Sequence, residues 1–264
     1  MRNLVIVKIG GSVITDIKKQ DTPDMDSISR LSAEIKKIKE KRPLILGHGS
    51  GSFAHIPAKR YGVGRGLINK GSAFGASLTQ DAAARLHRIL MRELLRKGAN
   101  PVSFPPSGGA VSRNGIISSW DLKPIMLALR HGFLPVVHGD VTMDSGQGVA
   151  IVSTEEALRY VALRLKPALT VMGTDVDGVY AGYSGAGGGR LIRHIDRHNI
   201  GEALGHASDS HKIDVTGGMA LKLKALYSIA TKTHSSCMIL NAKVPGRLYR
   251  AALGMDVPCT AIRF

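Results

Sequence analysis

Leu4–Thr15 reads LVIVKIGGSVIT, five apolar residues and one lysine followed by a glycine pair. An unbroken apolar run marks a strand covered on both faces, since a strand with one wet face alternates. Gly10 and Gly11 end the run in a turn. The same pattern returns at Pro43–Leu46, Pro101–Phe104, Leu134–His138, Leu169–Met172, Cys237–Leu240 and Thr260–Phe264. Helix-period stripes lie between some of these runs. One comprises Ile28, Leu31, Ile35 and Ile38; another comprises Leu78, Ala82, Leu86, Ile89 and Leu94, and Gly98 closes it. Alternating strands and helices predict an α/β protein whose mainly parallel sheet is covered on both faces. Ligands of such sheets bind beyond the carboxyl ends of the strands, where the glycine turns after Ile9, Leu46, Val137 and Met172 are expected to gather.

The chain has 264 residues, 44% of them hydrophobic, enough for a proper core, and no repeat or linker divides it. We therefore read 1–264 as a single domain. The formal charge of +16 attracts polyanions, membrane surfaces and small anions alike. Scattered basic residues, 5% aromatics and the lack of a recognition motif argue against a specific nucleic-acid partner. No window approaches the ~18 apolar residues of a membrane span, and Met1 leads straight into a strand, so a soluble, cytoplasmic protein without a membrane partner is expected. Cys237 and Cys259 lack metal-ligand spacing and read as packing residues. Ala181–Arg190, AGYSGAGGGR, reads as a mobile surface loop.

Four stretches carry chemistry. Lys8 stands at the end of a buried strand, where an ammonium needs a counter-charge; an anionic ligand held by Gly10, Gly11 and Ser12 would supply one, and a snorkelling lysine beside a tight turn is the alternative. GHGSGSFAH, Gly47–His55, lets main-chain N–H groups at Gly49, Ser50 and Gly51 approach an anion that His55 could also contact, but it has no P-loop lysine. Taken singly, the stretch is better explained as a glycine turn with a helix-capping histidine. The carboxylates of Asp140, and of Asp175 and Asp177 in GTDVDGVY, could orient a lysine, bind a ribose or contact Mg2+ indirectly, or simply form turns. DVTGGMALK, Asp214–Lys222, sets Thr216, Gly217 and Gly218 before a helical run bearing Lys222, an arrangement that suits phosphate or a plain loop.

Together, KIGGSVIT, HGSGSFAH, LPVVHGDV, GTDVDGVY, DVTGGM and ILNAKVPG resemble, in this order and nearly end to end, the amino acid kinase family. HGSGSFAH and DVTGGM resemble its isopentenyl phosphate kinase branch. The resemblance implies an open three-layer αβα sandwich and transfer of the γ-phosphoryl group of ATP, with Mg2+, to isopentenyl phosphate in an alternative mevalonate route. It also implies a homodimer, with residues 1–165 holding the acceptor and residues 166–264 the nucleotide. It assigns catalysis to Lys8, His55, Lys222 and Asp140, the last orienting Lys8. It places the nucleotide on Lys8, Gly10, Gly11, Ser12, Gly51, Thr174, Asp175, Asp177, Tyr180, Gly218 and Lys222. The acceptor falls to Gly49, Ser50, His55, Phe74, Ser153 and Thr154, with Phe74, Leu78 and Ile151 along the prenyl tail.

The chain also departs from the family. Ile17 stands where the family carries a lysine, with Lys18 and Lys19 beside it. SGD is replaced by Ser153-Thr154-Glu155, and a glycine by Ala54. Two further readings therefore stand beside the first: a kinase of another small phosphate, phosphonate or carboxylate, and a nucleotide-binding protein with weakened catalysis.

Overall fold

The first strand, β1 (Val5–Ile9), is buried throughout and parts its side chains between two cores. Ile6, with Leu4 before it, faces one core, while Val5, Val7 and Ile9 face the other. A computed structural model describes residues 3–182, 188–209 and 218–264. In it β1 lies near the middle of an eight-stranded sheet, flanked by β2 (Leu44–His48) and β9 (Leu169–Thr174). The order continues outward from β2 through β6 (Leu134–His138) to β3 (Pro101–Ser103). From β9 it continues through β13 (Ser236–Asn241) and β14 (Cys259–Ile262) to β12 (His194–Ile195). Every neighbouring pair is parallel except β13 with β14. All seven apolar runs of the sequence are in this sheet; β12, two residues long, is too short to leave a pattern.

One face is covered by α2 (Met25–Lys39), α4 (Ser72–Arg96) and α9 (Arg247–Ala252). The other carries α5 (Lys123–Arg130), α6 (Thr154–Leu165), α7 (Ile200–Asp209) and α8 (Gly218–Thr233). The expected three-layer αβα sandwich is thus present. Ile28, Leu31, Ile35 and Ile38 are wholly buried on α2, whose N-terminus is capped by the Asp24 carboxylate accepting from Ser27 N at 3.0 Å. On α4 the buried stripe is Ala82, Leu86 and Leu94, with Ile89 packed against it, but Leu78 is exposed.

A second sheet escaped the sequence reading. Its order is β5 (Ile116–Ser119), β4 (Val111–Arg113), β7 (Asp140–Asp144) and β8 (Gly148–Val152). These strands are short and half exposed, so they lack the continuous apolar run that signals a buried strand. Asp144 ties them together, accepting from Ser112 Oγ and from the backbone N–H groups of Asn114, Gly115, Gly146 and Gln147. Burial alone would raise its carboxyl pKa; these donors outweigh that and hold it well below the usual range.

Two short helices, α1 (Gly11–Ile14) and α3 (Gly51–Arg60), follow β1 and β2 directly. After β9, the two-residue strands β10 (Tyr180–Ala181) and β11 (Arg190–Leu191) pair antiparallel. The tip of the glycine-rich AGYSGAGGGR stretch, 183–187, lies outside the described residues, as do Thr216 and Gly217. Cys237 and Cys259 are free, Cys237 buried and Cys259 partly so. Among the described residues no helix is long and apolar enough to cross a membrane.

Candidate active site

The turns after β1 and β2 meet backbone to backbone. A Cβ on Gly11 would lie 2.2 Å from Gly51 N, and one on Gly49 would lie 2.7 Å from Gly11 N. Gly51 also adopts φ +50°, and a Cβ there would lie 2.1 Å from Thr15 Oγ1. Any side chain would force these turns apart, which is the physical reason for glycine in both motifs. Gly49 N donates to Ile9 O at 2.9 Å, and Gly10 N donates to Gly173 O at 2.8 Å, so the ends of β1, β2 and β9 form one floor. Above it opens a cleft of about 1060 Å³.

An ion cluster occupies the middle of this cleft. Lys8, almost fully buried, donates from Nζ to Glu155 Oε1 at 2.6 Å, and Lys222 Nζ lies 3.8 Å from the same oxygen. Burial would raise the Glu155 carboxyl pKa, but the two ammoniums and the Lys8 hydrogen bond prevail and hold it below its ordinary value. Glu155 is the second residue of α6, where a carboxylate also meets the positive end of the helix. Ser153 caps that helix, its Oγ accepting from Glu156 N at 3.1 Å.

Asp140 is not the carboxylate that orients Lys8. Its oxygens accept from Ser107 N at 3.1 Å and from Val141 N at 2.8 Å, where the chain turns into β7. Glu155 meets Lys8 instead. Thr154 turns its hydroxyl back toward β2, donating to His48 O at 2.7 Å, so its β-branch is absorbed into the sheet end.

The structure gathers most of the sequence-predicted residues around the cleft. From residues 1–165, Lys8, Gly10, Gly11, Ser12, Gly49, Ser50, Gly51, His55, Asp140, Ser153 and Thr154 line it. From residues 166–264, Thr174, Asp175, Tyr180 and Lys222 do. Thr174 directs its hydroxyl into its own turn, donating toward Val176 O and Leu240 O. Asp177 stands apart, ion-paired with Arg247 at the start of α9. Gly218 opens α8 without lining the cleft.

Phe74 is likewise misplaced by the sequence reading. It is 60% exposed and packs edge-on against Tyr61, with ring centroids 5.8 Å apart. Neither it nor Leu78 is among the described residues lining the cleft. The next face of α4 presents Thr79 and Ala83 instead, opposite Ala54 and Ala58 of α3 and Val141 and Ile151 of the second sheet. That wall is apolar and made mostly of small side chains. One cleft therefore joins a hydrocarbon-compatible chamber to a cationic centre flanked by two glycine turns.

A sequence profile of the amino acid kinase family matches residues 3–241. The chain belongs to the amino acid kinase family. This kinase is 35% identical to the isopentenyl phosphate kinase of Methanothermobacter thermautotrophicus, the alignment covering 98% of each chain. It is 32% identical to the isopentenyl phosphate kinase of Methanocaldococcus jannaschii, over 99% of each. A solved isopentenyl phosphate kinase structure superposes with a TM-score of 0.84 at 32% identity, covering 98% of this kinase and all of that chain.

Several cleft residues of the kinase went unread in its sequence. Glu155 sat in plain view in the Ser153–Glu155 stretch, and its position just after a serine cap was the available signal. Lys18 and Ile17 reach the cleft, whereas Lys19 is not among the described lining residues. His206 on α7 lines the kinase's cleft without any motif around it, and Met219, the last residue of DVTGGM, lines it too. Among the described residues, no group of three or more His, Cys, Asp or Glu is placed to hold a metal ion. A metal in this cleft would take its ligands chiefly from phosphate oxygens and water, the usual habit of Mg2+.

Proposed function

We propose that the protein transfers the γ-phosphoryl group of ATP to isopentenyl phosphate, giving isopentenyl diphosphate and ADP. The observation that carries this reading is the continuity of the cleft, from the apolar wall of Ala54, Ala58, Thr79 and Ala83 to the Lys8–Glu155–Lys222 cluster. An acceptor with a short hydrocarbon tail and a phosphate head suits that path, and relatives that align end to end bear this activity in their names.

The chemistry asks little of a base. A phosphate oxygen of the acceptor attacks Pγ, the new P–O bond forms as the bond from Pγ to the β-bridging oxygen breaks, and ADP departs with that electron pair. The nucleophile has no hydroxyl proton to lose, so the protein must align two anions and offset their repulsion. Lys8 and Lys222 supply positive charge at the meeting point. His55 and the Gly49–Gly51 turn hold the acceptor's phosphate, while Ser12 and the Gly10–Gly11 turn border the phosphate that moves. Mg2+ supplies further charge neutralisation on the nucleotide's phosphates when bound.

In this reading residues 1–165 carry the acceptor and residues 166–264 the nucleotide, whose base end lies toward Asp175, Tyr180 and His206. We further propose that the enzyme works as a homodimer in the cytoplasm, with no specific nucleic-acid partner. The purified protein with ATP, Mg2+ and isopentenyl phosphate should form ADP only when the acceptor is present. ADP formation that ignores the acceptor, across a panel including other small phosphates, phosphonates and carboxylates, would overturn the proposal.

A further inference from the structure

Three histidines are stacked beneath the acceptor turn, outside the residues that reaction uses. His48 and His138 are the last residues of β2 and β6, are partners in parallel register, and each precedes a glycine. Their rings stack with centroids 5.5 Å apart. His87 descends from α4 onto both, 5.2 Å from His48 and 4.4 Å from His138. All three are buried. Polar rings occupy a place in the core where Leu or Val would pack without any hydrogen-bonding requirement.

Their hydrogen bonds run in one direction. A carbonyl oxygen only accepts, so His48 Nδ1 carries a hydrogen that it donates to Gly49 O at 3.1 Å, and His138 Nδ1 donates to Gly139 O at 2.9 Å. In the neutral ring, His48 Nε2 is then an acceptor, so the 2.9 Å contact to His87 Nδ1 requires the hydrogen on His87. His87 Nε2 accepts in turn from Ser103 Oγ at 2.7 Å. Burial and the neighbouring His87 and His138 push the His48 pKa well below its ordinary value, which keeps this order in place.

We propose that His48, braced by His87 and stacked on His138, is a positioning residue that aims the Ser50 amide at the acceptor's phosphate. The Gly49–Ser50 peptide is trans and planar, so its C=O and N–H point in opposite directions. With the Gly49 oxygen held down by His48, the Ser50 N–H is turned away from the core toward the cleft that Ser50 lines. No hydrogen-bond partner for that N–H occurs among the described residues. The His138–Gly139 pair repeats the device on the neighbouring strand and keeps the second turn, leading into Asp140, in register with the first. The inference rests on the proposed acceptor site, because it assigns the Ser50 amide to that phosphate.

Two variants separate positioning from packing. Asn at position 48 presents a donor at the reach of Nδ1 and keeps the bond to Gly49, whereas Gln reaches toward His87 and loses it. His48→Asn should keep the KM for isopentenyl phosphate near the wild-type value. His48→Gln should raise it by about tenfold, the scale of one hydrogen bond to a charged oxygen, with the KM for ATP unchanged. Equal losses in both variants, or parallel losses in the two KM values, would reduce the trio to packing. Long-range 15N–1H spectra of the wild type should show all three rings as Nδ1–H tautomers; an Nε2–H tautomer at His48 overturns the latch. Titration with inorganic phosphate should shift the Ser50 amide in wild type and His48→Asn but not in His48→Gln. Because the spectra and the titration require no turnover, failure of the wild type to use isopentenyl phosphate would sink the proposed function while they still decide the latch.

Discussion

Lys8 and Glu155, 147 residues apart in the chain, meet at 2.6 Å in the floor of the cleft, and Lys222 reaches the same carboxylate oxygen from α8. Three elements thus bring their charges to one point. A lone ammonium as buried as Lys8 would be costly, and the carboxylate both removes that cost and fixes where the ammonium points.

Glu155→Gln should therefore leave the two ammoniums without their shared counter-charge and lower kcat by about a hundredfold, the scale associated with ångström misplacement of a reacting group. Glu155→Asp keeps the charge and should retain more activity than Glu155→Gln. Steady-state kinetics of the two variants, accompanied by thermal unfolding, checks the order; equal kcat in Gln and wild type would dismiss the cluster's role.

The turn after α1 supplies a second test. Ile17 is 66% exposed and lines the cleft together with Lys18. Lys18 N donates to Asp16 Oδ1 at 2.9 Å, which fixes the local turn. Lys18→Ala should lower kcat by about tenfold, the worth of one charged contact made to the transferring group. Lys19→Ala should leave it near the wild-type value. A matched loss in both variants would show only a general charge effect, which rising salt would screen away.

The apolar wall makes a prediction about the acceptor alone. Ala83→Phe narrows the chamber between α3 and α4 and should raise the KM for isopentenyl phosphate by about tenfold, equivalent to the burial of about two methylenes. The KM for ATP should hold steady. Phe74→Ala, on the exposed side of the same helix, should change neither. Kinetics with both substrates varied reads the difference, and a large Phe74 effect on the acceptor would return that residue to the pocket.

Acid should weaken the fold through His87 and His48. Burial, with help from His138 and Arg88, lowers the His87 pKa to about 3, and burial drives His48 down as well, with Lys8 among the charges that reinforce it. The unfolded chain takes up a proton at His87 below about pH 6.5, which the folded chain refuses until about pH 3. Stability is thus fully present above pH 6.5 and falls through that window, by ~1.4 kcal/mol per pH unit for each such histidine. Urea unfolding at pH 7 and pH 5 should show the loss. His87→Leu, although less stable at pH 7, should show a shallower slope; an unchanged slope would acquit His87.

Much of the sheet could be read from the chain because a strand buried on both faces must be apolar along its whole length. β1, β2, β6 and β9, buried at every position, carry that mark, and the stripe Ile28, Leu31, Ile35 and Ile38 marks a helix in the same way. The second sheet left no such mark, since Val111, Ile116 and Met143 are exposed and its strands are three to five residues long. Phe74 and Leu78 show the limit for helices: periodicity locates an apolar stripe to within about a residue, and Thr79 rather than Leu78 faces the cleft.

By itself, then, the sequence determined the layered α/β architecture and the two glycine turns that carry Lys8 and His55 beside them, because these depend on local pattern and on motifs a few residues long. Only the tertiary structure decided which carboxylate answers Lys8, which face of α4 lines the chamber, and that His48, His87 and His138 form one hydrogen-bonded stack. Those are contacts between residues separated by 39 to 147 positions. Such pairings are set by strand order and helix rotation, which no local stretch of the chain encodes.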